Sequence, residues 1–187
     1  PNRALIVEGG GVWMTEDLQA TDEGKPVHWS FHSNNLEEIV ARDLISPPEG
    51  APLLSVSLDL CGLKHDALTV SPEGGPFQNP PCASADDIDF AGKKPNVMVR
   101  IGSYPWDGTQ APRGGISMDG GTTWKGFGAE PAGSDGRGSV ALSADASVIV
   151  WAPRSARPAY SKDGGNTWTP CEGLSEPTNT PDWAPWY

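Results

Sequence analysis

One octapeptide occurs twice in this chain. Ser117-Met118-Asp119-Gly120-Gly121-Thr122-Thr123-Trp124 returns almost unchanged as Ser161-Lys162-Asp163-Gly164-Gly165-Asn166-Thr167-Trp168, with the two aspartates 44 residues apart. The pattern S-x-D-G-G-x-T-W describes a hairpin. A strand ends at the serine, the aspartate accepts hydrogen bonds from turn amides, the glycines supply the positive φ angles such turns need, and Thr-Trp opens the next strand. The tryptophan is expected to fold back over its own hairpin. A repeat of roughly 40–45 residues is that of a four-stranded propeller blade.

The remaining composition agrees with short strands joined by turns. The 187 residues include 23 Gly, 19 Pro and 8 Trp, and long stretches of helical period are missing. So many tryptophans suit blade cores, sugar platforms, or both. The net charge is −11, with no basic cluster; nucleic acid and an anionic membrane surface are thereby excluded as partners. No run of about 18 apolar residues marks a transmembrane helix. No cysteine–histidine spacing suggests a metal site, and no cofactor is expected. The chain opens on Pro1-Asn2-Arg3 directly before an apolar strand, which reads as a cut or mature piece and leaves the question of a secretion signal open.

Four segments share one pattern: an apolar strand, a loop, a strand ending in Asp, then an aromatic strand. Their turn aspartates are Asp17, Asp66, Asp119 and Asp163, at steps of 49, 53 and 44. With strands lettered A to D outward from the axis, B strands are expected at 4–7, 53–58, 97–101 and 148–151. A strands precede three of them, at 40–45, 87–90 and 139–142. The fold class is therefore all-β: about four blades, at 1–34, 40–80, 84–128 and 137–173, followed by a tail or linker at 174–187. The first blade lacks its A strand, and four blades do not close a ring, so the ring is incomplete and the rest of the same protein, or another chain, must complete it.

Antiparallel blades place the A–B and C–D turns on one face of the disc and the B–C and D–A loops on the other. The second face carries the candidates for chemistry. Tyr104 and Trp106, in the long B–C loop of the third blade, either stack on sugar rings or pin the loop to the blade. Trp151, just before the equivalent loop of the fourth blade, is a further platform candidate, and Arg154 and Arg157 follow it. Asp59 ends the B strand of the second blade between Leu58 and Leu60. Apolar neighbours would raise its pKa and suit it to general-acid work; the alternative is a loop carboxylate bonded to backbone amides. An arginine triad built from Arg100, Arg154 and Arg157 is not evident.

The octapeptide is similar to the Asp-box (BNR repeat) of sialidases and related propellers, a folding motif at a blade edge. That resemblance implies structural roles for Asp119, Trp124, Asp163 and Trp168. The stretch from Asn35 through Ser46-Pro47-Pro48-Glu49-Gly50-Ala51-Pro52-Leu53-Leu54-Ser55, with Asp59-Leu60-Cys61-Gly62-Leu63-Lys64-His65-Asp66 after it, resembles glycoside hydrolase family 74, the xyloglucanases and related endo-β-1,4-glucanases. The likeness runs from about residue 2 to residue 174. It implies two seven-bladed propellers enclosing a substrate cleft, inverting hydrolysis of xyloglucan or a related β-1,4-glucan, and secretion. One catalytic aspartate comes from each propeller, with carboxyl groups ~6.5–9.5 Å apart. Asp59 matches the second-propeller residue, the general acid, and this chain would hold half of the pair.

The chain also departs from the family. Leu58, Cys61 and Leu63 stand where Gly, Gly and Phe are usual, Lys64 replaces Arg, and Asn35 replaces Gly. His65 is retained, either orienting a carboxylate or sugar hydroxyl or capping its turn. Cys61 and Cys82 lie in adjacent loops of the second face, so a disulfide between them is expected and Cys171 would stay free. The rival to a hydrolase is a non-catalytic propeller that binds glycans or proteins.

Overall fold

The structure, a computed structural model, describes residues 2–33 and 39–174. Its strands fall into four antiparallel sheets of three or four strands. They divide into two compact units, 1–39 and 40–187. In the first unit β1 (Ala4–Glu8), β2 (Gly11–Thr15) and β3 (Ser30–Phe31) pair in that order, with a 3-10 turn at Leu18–Glu23. Among the described residues no helix is long and apolar enough to cross a membrane.

The second unit holds three sheets. β4 (Ala41–Ile45), β5 (Leu53–Ser57) and β6 (Cys61–His65) form one. The next runs β7 (Ala85–Ala91), β8 (Lys94–Gly102), β9 (Gly114–Ser117) and β10 (Lys125–Gly126). The last runs β11 (Gly138–Leu142), β12 (Ile149–Pro153), β13 (Ala159–Ser161) and β14 (Thr169–Pro170). The expected A strands are β4, β7 and β11, and these inner strands pack side by side. The expected D strand of the β4–β6 sheet is reduced to a single bridge between Leu63 and Pro76. Proline has no N–H to extend a ladder there.

The core lies between sheets. Along β8, Met98 points toward the β4–β6 sheet and joins Leu54, Val56, Ile88 and Trp124. Val97, Val99 and Ile101, on the alternate face, join Val140, Leu142, Ile149 and Trp151. Period-two alternation thus feeds two cores from one strand, which is why β8 reads as an unbroken apolar run.

The two repeated turns close as their sequence requires. Ser161 Oγ donates to Asp163 at 2.8 Å, and Thr167 donates to the two carboxylate oxygens through its amide at 2.9 Å and its hydroxyl at 2.6 Å. Ser117, Asp119 and Thr123 repeat this. These hydrogen bonds, Thr167's first, hold the Asp163 pKa down at about 2. Thr15 and His28 serve Asp17 in the same way. The tryptophans do more than cover their own hairpins. Trp168 donates to the Ala129 carbonyl at 2.8 Å and packs edge-on to Phe127, both in the preceding sheet's segment. Trp124 lies 5.1 Å from Phe77, likewise one sheet earlier. Each ring finds more apolar surface on the neighbouring sheet than on a two-residue strand.

A second set of inter-sheet links was not foreseen. Asp43 accepts from the Ile88 amide at 3.3 Å, Asp87 from Val140 at 2.8 Å, and Asp89 from Leu142 at 2.7 Å. The carboxylates of each inner strand thus bind amides of the next. Asp86 adds a clasp: it accepts from Gly138 and lies near Arg42 (3.9 Å) and Arg154 (3.5 Å).

Candidate functional site

Asp59 sits in a three-residue link, 58–60, between β5 and β6. The Leu60 amide donates to the Leu58 carbonyl, and the Gly62 amide to the Leu60 carbonyl, both at 2.8 Å. These two overlapping three-residue turns put Asp59 at φ 67° and Cys61 at φ 66°, the left-handed region that residues with a Cβ avoid. The strain is held from outside the link. Asp59 donates its amide to Ser84 Oγ at 3.0 Å, and Cys61 its amide to the Ala83 carbonyl at 3.3 Å. Leu58 donates to the Val40 carbonyl at 3.0 Å. Strained backbone that its surroundings over-determine is a feature of functional sites.

The segment 82–84 that seats this link is itself tied to the loop after β8. Ser103 donates its amide to Ser84 O at 2.8 Å, and Ala83 donates to Tyr104 O at 3.2 Å. A disulfide joins Cys61 to Cys82, with Cα atoms 5.4 Å apart, and Cys171 is a free thiol. Three second-face loops are therefore stitched into one platform bearing Asp59, Tyr104 and Trp106.

The Asp59 side chain is exposed, while Leu58 and Leu60 are half-buried. The apolar enclosure expected around it is not supplied by the described residues, since Asp59 is exposed. Its carboxylate has no hydrogen-bond or ion-pair partner among those residues, unlike Asp119 and Asp163, whose oxygens are occupied. Trp106 is 76% exposed. Tyr104 is half-buried, with the Arg113 guanidinium 4.6 Å from its ring centroid, and Arg113 in turn pairs with Glu130 at 2.6 Å.

Other candidates lie elsewhere. Trp151 is fully buried between Phe127 and Trp168 and offers no face to a sugar. Its strand position turns it into the core, where its indole donates to the Arg137 carbonyl at 3.3 Å. His65 is at the far end of β6, roughly 13 Å along the strand from Cys61, and meets Ser55 Oγ at 3.0 Å. It belongs to the opposite face from Asp59. Arg100 is fully buried and so contributes to no exposed triad. The aromatic tail beyond Leu174 and residues 34–38 fall outside the described residues.

The most perturbed carboxyl group is Asp87. Burial first, then its hydrogen bond to Asp43, push its pKa up to about 7. Its oxygens are taken by the Ile88 and Val140 amides, which marks it as an inter-sheet link rather than a reactive group. Among the described residues no group of three or more His, Cys, Asp or Glu side chains is arranged to hold a metal ion.

No family model matches the chain. Individual relatives do. A xyloglucanase from a Paenibacillus species is 37% identical over 174 residues, 92% of this chain, and one from Acetivibrio thermocellus is 36% identical over 173 residues. The family 74 xyloglucanase structure from Xanthomonas campestris superposes with a TM-score of 0.75 at 37% identity, covering 93% of this chain and 24% of that one. The chain is a segment of glycoside hydrolase family 74. A family 74 enzyme structure from Niastella koreensis matches as well, with a TM-score of 0.66 at 25% identity over 90% of the chain. This family 74 segment spans 17–20% of the length of the two curated relatives.

Proposed function

We propose that this chain is the second-propeller portion of a secreted glycoside hydrolase that cleaves xyloglucan or a related β-1,4-glucan with inversion, and that Asp59 supplies one of its two carboxyl groups. The observation that carries this reading is the Asp59 link itself. It presents an exposed, unengaged carboxylate on a backbone held in a left-handed conformation by neighbouring loops. As general acid, Asp59 would protonate the departing glycosidic oxygen. The remainder of the protein would provide the base, activate water on the opposite face of the sugar, and close the cleft that excludes solvent from Asp59. Trp106, and the exposed part of Tyr104, would support glucose or xylose rings along the cleft. Secretion is supported by the disulfide, which persists in oxidising surroundings.

The test is hydrolysis of xyloglucan by the full-length protein and its Asp59→Asn variant. Loss of an acid contributes roughly 10²- to 10⁴-fold, so turnover should fall by that factor while substrate binding persists, and proton NMR of the fresh product should show inverted anomers. Unchanged turnover in Asp59→Asn would remove Asp59 from the reaction. Leu58, Cys61 and Leu63 around Asp59 favour a second reading, a glycan-binding propeller without catalysis. Xyloglucan binding with no turnover by the unmodified full-length protein would select it.

A further inference from the structure

Cysteine at position 61 departs from the glycine usual there in the family it resembles, and the backbone at that residue is left-handed, at φ 66°. Glycine would adopt this conformation without strain; cysteine does not. What accompanies the substitution is the bond to Cys82. That bond fastens the Asp59 link to the segment whose next two residues, Ala83 and Ser84, accept the Cys61 and Asp59 amides.

Beneath the disulfide lies Arg100. Its side chain is fully buried, with the guanidinium 5.4 Å from the Phe77 ring centroid and 5.0 Å from that of Trp124. One terminal nitrogen donates to both sulfurs, at 3.2 Å to Cys61 and 3.3 Å to Cys82, and the other to the Pro80 carbonyl at 2.6 Å. No carboxylate is among its partners in the described residues. Burial pushes its pKa down to about 9, so it is still a cation at neutral pH. Cys61 is buried and Cys82 half-buried, so Cys82 is the more exposed residue of the pair.

We infer that the Cys61–Cys82 disulfide is a positioning clamp for Asp59, and that a dithiol reductant opens it and slows turnover. The inference rests on the reading of Asp59 as general acid. A thiolate of the dithiol attacks Cys82 Sγ. The S–S bond breaks, and its electron pair leaves on Cys61 Sγ as a thiolate facing the Arg100 cation. A nearby cation stabilises a thiolate and improves it as a leaving group. The second thiol of the reductant then gives up its proton and displaces Cys82. The products are the oxidised cyclic reductant and two reduced protein sulfurs, two electrons having passed to the protein. Cys61 then retains a strained φ with no covalent tether, and the Asp59 link loses its register on Ser84.

The experiment uses the full-length protein, with opening of the 61–82 bond followed by alkylation and mass spectrometry. On dithiothreitol treatment, kcat on xyloglucan should fall roughly 10- to 100-fold, the cost of a misplacement of about 1 Å. KM should stay within about 3-fold, and reoxidation should restore kcat. Cys82→Ser should show the low kcat with or without reductant. The double variant C61G/C82S, whose glycine accepts the left-handed φ, should recover most of the loss and ignore reductant. Opening of the bond with kcat unchanged, or a double variant no better than Cys82→Ser, would overturn the inference. Asp59→Asn separates the two claims. If it abolishes turnover and reduction does nothing, only the clamp fails. If it leaves turnover intact, the Asp59 reading fails, and amide hydrogen exchange over residues 57–62 decides the clamp: reduction must accelerate exchange there, and unchanged exchange would overturn it.

Discussion

Replacing Asp87 with Asn should make the β7–β11 junction insensitive to pH between about 4 and 7. In the native protein the Asp87 pKa is raised from 3.8 to about 7, by burial first and by the Asp43 hydrogen bond next. Between those two values the folded state holds a proton that the unfolded chain has released. Stability therefore declines as pH rises through this window and levels off above about 7. The full linkage for a shift of this size is about 4 kcal/mol at 1.36 kcal/mol per unit. Asp87 is only half-buried, and solvent screening reduces the expected loss to about 1–2 kcal/mol. An asparagine keeps an oxygen for the Val140 amide, now 2.8 Å from Asp87, and offers its amide to Asp43 with no proton to lose. Asp87→Asn should be near neutral at pH 4 and stabilising by about 1–2 kcal/mol at pH 8. Calorimetry of the full-length protein from pH 4 to 8, with amide exchange on peptides 85–91 and 138–142 to assign the transition, measures this. If the junction in the native protein gains stability from pH 4 to 8, or if the variant is equally destabilised at both ends, the account of a raised Asp87 pKa is wrong.

Further outcomes follow from packing and exposure. Gly164→Ala meets open space at φ 70° and should cost about 1–2 kcal/mol from backbone strain alone. Gly165→Ala, at φ 86° with its new Cβ 2.3 Å from Phe127 Cδ1, should cost about 1–3 kcal/mol more. Local opening free energies from amide exchange over 159–170 should rank them in that order. Trp106→Ala should raise KM for xyloglucan roughly 3- to 10-fold without changing thermal stability. Trp151→Ala should destabilise by about 3–5 kcal/mol, and an equal effect of both on KM would contradict the burial of Trp151.

Much of the architecture was legible along the chain because propeller turns and strands are local. The serine, aspartate, glycines and threonine that close each repeated hairpin lie within seven residues of one another. The inner strands were located by their place before each apolar B strand, and Asp59 and the cysteine pair could be placed on loops of one face by counting strands. Misreadings came where a side chain's partner is distant. Trp151 sits beside a loop in sequence, yet the β12 pleat turns it into the core. His65 follows Asp59 closely, but the whole length of β6 separates them.

What the amino-acid order determined alone was the repeat, the strand order and the set of polar residues available to the second face. Tertiary structure decided which of those residues are usable. Arg100 is 39 residues from Cys61, and Asp87 is 53 from Val140. Such pairs meet only when successive sheets pack with their inner strands side by side. A charge buried under a disulfide, or a carboxyl group whose pKa is raised by burial, depends on that packing because desolvation is set by everything around a group and not by its neighbours in the chain.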